Sequence, residues 1–466
     1  MKLLAITSTT LLLAGASHAQ EIANVLGGLP APLHIDSHED GLLIATAGTG
    51  NNDGAIQFYD PQSSGLTPWV TGLPSVIGEA GPFGVNAALR LGDDLYVAQG
   101  NVDPSGSAPD SSCLFHFDLD GLGWSPGDAP LTPADGSIIQ IRDFLMVDNG
   151  YVDSNVYDLT YKNGGELLYI VDAGANAVVS YRPSTGSMNI VADFPMVPND
   201  TGVGPPMSQA VPTAIEKSGN KFLVTTLTGF PFNPGAATVY ELSPAGNLTV
   251  KHDGLSLMTD ILVDEDENCF YVSQFAAFDL ASGFLPGTGS ILKIKDGIEY
   301  PMATGLTFPS SVAMLDGSIH TGSLALGTLD MLAPGFMSYC ETHANSEFSG
   351  GATMAHAGSA SISANDLILI CNGVPAGETG LFFYGRQPAA MPFGNGTLCV
   401  GGNLFRLGVV QSDANGDSTF AVDNTALLTQ GAFAPGDLIQ VQHWYRDLPS
   451  FQTSGLSNGL QILLAP

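Results

Sequence analysis

Apolar residues along this chain fall in short alternating runs rather than at helical spacing, and Gly, Pro, Asn or Asp bounds each run. Such alternation puts one side of a strand against a core and the other toward a second layer. One run recurs: LLIATAG from Leu42, LYVAQG from Leu95, LYIVDAG from Leu168, FLVTTLTG from Phe222, FYVSQF from Phe270 and a degraded SIHTGS from Ser318. The steps between these starts are 53, 73, 54, 48 and 48 residues.

Every copy has the same surroundings. A weaker strand precedes it (APLHID, NAALRL, SNVYDL, VPTAIE, MTDILV, FPSSVAM), and a third alternating strand ending in a turn follows, as in GAIQFYDPQSSG or AATVYELSPAG. A fourth, outer strand such as LTPWVTGL or LTVKHDGL completes the unit. Four short strands repeated six times predict an all-β chain whose residues 20–335 form a six-bladed β-propeller, because single blades cannot bury both faces alone. The 73-residue step contains GSIIQIRDFLMVDN, residues 136–149, whose apolar positions predict an inserted helix.

Composition changes this picture in three ways. With 57 Gly, 30 Pro and 12% charged residues, the chain is turn-dense and suited to β structure. Its 45 acidic residues face only 13 basic ones, which excludes nucleic acid and anionic lipid as partners and favours cations. Residues 1–19, MKLLAITSTTLLLAGASHA, have the basic start, apolar stretch and small-residue end of a secretory signal. No later apolar run is long enough to span a bilayer, so the expectation is an exported monomer in the medium, at the cell surface or in the periplasm.

The five cysteines show no CxxC spacing and argue against a zinc-ribbon site. Cys340 and Cys399, both in the last third, are the candidate disulfide in an exported chain, and Cys269 reads as a small core residue. HExxH, Walker loops and dinucleotide fingerprints are absent from the sequence. HIDSHED, His34–Asp40, has metal-like composition but reads as a solvated turn, since alternate strand residues face opposite ways. SDANGDSTFAVDN, Ser412–Asn424, resembles a calcium loop but has Ser418 and Asn424 where glycine and a carboxylate belong, so it reads as a hairpin turn.

Propeller geometry gives the better site argument. Residues at the entrances of the inner strands converge on the axis, which makes Glu79, Asn155, Asp158 and Asp260, with Asn86, candidate oxygen ligands for calcium. The loop in LTGFPFNPGAATVYEL is expected between the second and third strands of the fourth blade. Phe230 and Phe232 there are either a wedge under neighbouring blades or a binding surface on the loop face.

Several strings, GVNAALRL…LYVAQG, VDSNVYDLTY…LYIVDAGANAVVSYRPSTG, VPTAIE…LTGFPFNPGAATVYELSPAGNLTV and LSLMTDILVDEDENCFYVSQF, resemble the ScyD/ScyE family over roughly residues 26–330. That resemblance implies an NHL-like propeller and no particular chemistry. Residues 336–466, from YCETHANSEFSGG through LCVGG and HWYRD, resemble a carboxy-terminal module of exported planctomycete-like bacterial proteins and read as a small β-sandwich. Cys340 and Cys399 occupy the YC and LCVGG positions of that module. The resulting expectation is an exported, non-catalytic binding or scaffold protein whose partner is a small molecule, a glycan or another protein. Its rival is a calcium-dependent lactonase-like or phosphoesterase-like hydrolase acting in the channel, as gluconolactonase-like propellers use calcium to polarise a carbonyl.

Overall fold

The structure, a computed structural model, describes residues 22–464 apart from 79–80, 104, 106–107, 266, 316–317, 333–335, 435–436 and 451. The signal-like segment at 1–19 and Glu79 lie outside the described residues. Contacts separate a unit of Glu21–Ala333 from one containing Pro334–Pro466.

The larger unit is a β-propeller. Its described residues hold six four-stranded antiparallel sheets. Their inner strands are Pro32–His38, Val85–Leu91, Val156–Lys162, Pro212–Ser218, Met258–Asp264 and Ala313–Leu315. The recurring apolar runs form the second strands, which are buried almost throughout. Between neighbouring sheets lie separate apolar layers, for example Leu43, Ile56, Val85, Val97 and Phe115 between the first two sheets. Faces that cannot be satisfied within one sheet are thus satisfied by the next.

The sixth sheet is completed from the other end of the chain: Ile22–Gly27 pairs antiparallel with Thr328–Leu332. Joining the first strand to the last sheet removes two open edges and makes the ring self-supporting. The expected helix at 136–149 is corrected. Ser137–Ile139 is the outer strand of the second sheet, paired with Leu114–His116, and the helix is confined to residues 141–148, with Asp143–Asp148 a π-helix. Adjacent Ile138 and Ile139 satisfy helical spacing on paper, but the edge of the third strand takes them.

In the smaller unit two sheets share one core. Met354, Leu369 and Cys371 of the three-stranded sheet pack with Phe382, Tyr384, Val441, Tyr445 and Ile462 of the larger sheet, giving a β-sandwich. Cys340 and Cys399 are disulfide-bonded, while Cys113, Cys269 and Cys371 are free and buried. The Ser412–Asn424 stretch contains a self-capped turn in which the Asp413 carboxylate accepts the N–H groups of Asn415 and Asp417.

Candidate functional site

Each inner strand enters through the same local device. The carbonyls of Ala31, Gly84, Asn155, Val211, Leu257 and Phe308 accept N–H groups from Ala47, Gly100, Ala173, Leu227, Phe275 and Leu324, which closes the entry of all six strands. In the first five sheets a β-bulge follows two residues later, at Leu33, Asn86, Tyr157, Thr213 and Thr259. A bulge re-aims the next side chain and locally increases twist.

The bulge residues also join one sheet to the next. Asn86 donates to the Val156 carbonyl at 2.7 Å, Thr213 to Met258 at 2.9 Å and Thr259 to Pro309 at 3.3 Å. Ser310, at the same place in the sixth sheet, donates to Pro32 at 2.7 Å and so returns to the first. Immediately after these residues come His34, Ala87, Asp158, Ala214, Asp260 and Ser311. The chemistry sits on alternate sheets: first, third and fifth carry His, Asp and Asp, while the intervening three carry small residues that leave the space between them free.

Both aspartates are held from two sides. Asp158 Oδ1 accepts the N–H of Leu159 and Oδ2 accepts that of Ile215 in the next sheet, each at 2.7 Å. Asp260 repeats the arrangement with Ile261 and Val312, both at 2.8 Å. These bonds fix the carboxylates without using every lone pair. Oδ1 of each faces Nε2 of His34, at 3.7 Å for Asp158 and 3.5 Å for Asp260. The His34 side chain is 17% exposed, and those of the aspartates 6% and 2%. One ligand atom from each residue lies within 4.8 Å of the others.

A cavity of about 220 Å³ adjoins this trio and touches all six inner strands, which places it on the propeller axis. Asp36 and Glu216, two residues beyond the trio's level on their strands, also line it. Burial alone would lower the His34 pKa, but Asp260 and then Asp158 outweigh it and carry it up to about 10. Burial pushes Asp158 up to about 7 and Asp36 to about 6, each opposed by His34. It raises Glu216 well above the usual carboxylate range, with Asp36, Asp158 and Asp260 adding repulsion. Fully ionised, Asp36, Asp158, Glu216 and Asp260 would set four negative charges around the His34 imidazolium, with the Arg90 guanidinium also lining the cavity.

Of the expected channel ligands, Asp158 and Asp260 come together. Asn155 does not join them, because its side-chain oxygen accepts the N–H of Asn101 at 2.8 Å. Glu79 is outside the described residues. The solvated-turn reading of HIDSHED is corrected: His34 and Asp36 share the channel side of a paired strand. A signal for His34 was present in the repeats, since aligning PLHID, VYDLT and MTDIL at the bulge puts His34, Asp158 and Asp260 in one column.

The 227–236 loop joins the second and third strands of the fourth sheet. Phe232 packs on Phe278 and Phe284 of the fifth sheet's excursion, with ring centroids 4.8 and 5.2 Å away. Phe230 is 51% exposed beside it. A larger cavity, about 810 Å³, lies on the sandwich unit between Phe383, Phe393, Leu398 and Trp444. It gathers no acid–base or ligand set.

Neither the protein-family models nor the curated proteins give a match to this chain. Among solved structures, a gluconolactonase, XC5397 from Xanthomonas campestris, is 11% identical with a TM-score of 0.42, covering 66% of this chain and 88% of that one. The WD40 β-propeller domain of Doa1 is 12% identical with a TM-score of 0.36, covering 67% and 96%. The extracellular domain of BT4673 from B. thetaiotaomicron is 10% identical with a TM-score of 0.37, and the match spans 79% of this chain but 44% of that one. Likenesses of this size carry no functional argument, and the site must speak from its own geometry.

Proposed function

We propose that this is an exported, non-catalytic binding protein, a six-bladed propeller of the ScyD/ScyE kind, that retains a divalent cation on its axis. The observation that carries the reading is the convergence of His34, Asp158 and Asp260 from three alternate sheets beside the axial cavity. Separations of 3.5 and 3.7 Å are too long for charge-assisted N–H···O bonds. They suit neighbouring ligands around one ion, where two donors at about 2.0–2.2 Å stand roughly 3.3–3.6 Å apart at tetrahedral angles. Calcium, the expected ion, with its longer bonds and smaller ligand angles, also fits that spacing.

The chain's own residues would divide the work. The two aspartates, fixed by backbone N–H groups, supply preorganised oxygens, and His34 supplies the third donor. Asp36 and Glu216 line the remaining space, where a small polar ligand or water completes the shell. Dialysis of chelator-stripped protein against calcium and zinc tests the reading, with melting followed beside an Asp260→Asn variant. One retained equivalent and a higher melting temperature are expected, both diminished in the variant. Ion concentrations near 100 Kd stabilise the fold by about 2.7 kcal/mol. No saturable uptake of either ion would overturn it.

One observation favours the hydrolytic alternative: Asp36 and Glu216 place two further carboxyl groups in the same cavity. A base beside an ion-activated carbonyl is the minimum apparatus for opening a lactone or phosphoester. Turnover of simple lactones that disappears in Glu216→Gln would support this reading. Turnover that Glu216→Gln and Asp36→Asn both leave unchanged would dismiss it.

A further inference from the structure

We infer that the axial ion is a first-row transition metal bound through the imidazole of His34, and not calcium. This rests on the cation-binding reading above and names the class of ion that site takes.

The donors decide the class. Calcium takes six to eight oxygens and gains little from an imidazole nitrogen. The axial set offers one nitrogen and two carboxylate oxygens, and imidazole suits Zn²⁺, Fe²⁺, Ni²⁺ and Cu²⁺. Asn155, whose amide oxygen would have extended a calcium shell, is engaged by the Asn101 N–H. The small residues Ala87, Ala214 and Ser311 on the alternate sheets add no long oxygen donor at this level. Three protein ligands and an adjoining cavity describe a site with an open position, the arrangement of zinc sites with three protein ligands.

The support of the ligands points the same way. Each aspartate is already anchored by two N–H groups, so its presented oxygen is fixed in direction. Such anchoring favours the short, directional bonds of a small transition-metal ion over the adaptable shell of calcium.

The test uses the full mature chain stripped with chelator. It is titrated separately with Zn²⁺, Co²⁺ and Ca²⁺, with His34→Gln beside it. The expected result is one equivalent of Zn²⁺ or Co²⁺, a Co²⁺ visible spectrum of low coordination number, and no displacement by excess Ca²⁺. Binding in His34→Gln should weaken by at least ~100-fold, the upper range for losing even an outer-shell partner. The variant should fold, because no backbone N–H in the ring of inter-sheet bonds depends on His34. Should it fail to fold, X-ray absorption of the zinc-loaded native chain must show one imidazole nitrogen at the metal. Stoichiometric Ca²⁺ binding that the variant keeps would overturn the inference and leave the cation reading standing. Zn²⁺ binding that the variant keeps would overturn it too, by placing the metal elsewhere. Uptake of none of the three ions would overturn the cation reading itself.

Discussion

His443 offers a test of the energetics because nothing but burial acts on it. Its ring is fully enclosed in the sandwich core, 4.3 Å from the Phe382 ring by centroids, and neither ring nitrogen has a hydrogen-bond partner. A Cβ on Gly380 would run into that ring, so glycine is what makes room for it. Burial lowers its pKa from 6.5 to about 3. The folded chain therefore refuses a proton that the unfolded chain accepts below pH 6.5. Stability from this group is complete above 6.5 and falls as pH drops toward 3. Between pH 7.5 and 4.5 the loss is about 2.7 kcal/mol, two pH units at about 1.36 kcal/mol each. His443→Leu removes the titration and two unpartnered polar atoms, so at pH 7.5 it should be as stable as the native chain or more so. Hydrogen exchange of peptides covering Leu438–Arg446, read as opening free energies at the two pH values, isolates this unit. Other titrating groups cancel in the double difference. Equal acid losses in native and variant chains would refute the reasoning.

Three further expectations follow from single contacts. Thr213→Val deletes the 2.9 Å bond to the Met258 carbonyl and leaves that buried acceptor unpaired, so denaturant unfolding of the propeller should show a loss of roughly 1–2 kcal/mol. Cys340→Ser opens a loop of sequence separation 59, and chain entropy puts the cost near 4 kcal/mol, measured by sandwich unfolding with and without reductant. Phe232→Ala should cost about 2–3 kcal/mol and Phe230→Ala under about 1, since Phe232 packs closely on both Phe278 and Phe284 whereas the half-exposed Phe230 meets Phe278 only at 6.3 Å; equal losses would show the wedge to be misassigned.

The second strands were legible because both their faces are covered, and runs such as LYIVDAG and FLVTTLTG announce that burial without reference to anything distant. The outer strand at 137–139 was not, because two adjacent isoleucines fit a helical stripe as well as a sheet edge. Closure by Ile22–Gly27 was invisible for a different reason. Its partner strand lies some 300 residues away, and no local period encodes that pairing. The axial site shows both cases at once. Asp158 and Asp260 are legible because they stand on inner strands, whose entrances converge on the axis. His34 is hidden because HIDSHED does not converge within itself and its partners stand in other sheets.

The alternation of polar and small residues around the axis bears on why such a costly cluster is there. Asp158 and Asp260 tie to the next sheet by accepting an N–H group, but Asn86, Thr213, Thr259 and Ser310 already make neutral links, donating to carbonyls of the next sheet one residue earlier. A carboxylate is therefore not required for the stapling, and a buried one is expensive unless its charge is answered. Three sheets achieve their closure with Ala87, Ala214 and Ser311 at this level, which shows that the fold tolerates uncharged residues there. The excess of negative charge that remains, gathered from three alternate sheets onto one imidazole and one cavity, has its most economical answer in a bound cation. If the aspartates were only staples, replacing both with asparagine would lower stability, since one buried N–H at each site loses its acceptor oxygen, and adding zinc would change neither protein. If they are ligands, zinc raises the melting temperature of the native chain and leaves that of the double variant unchanged.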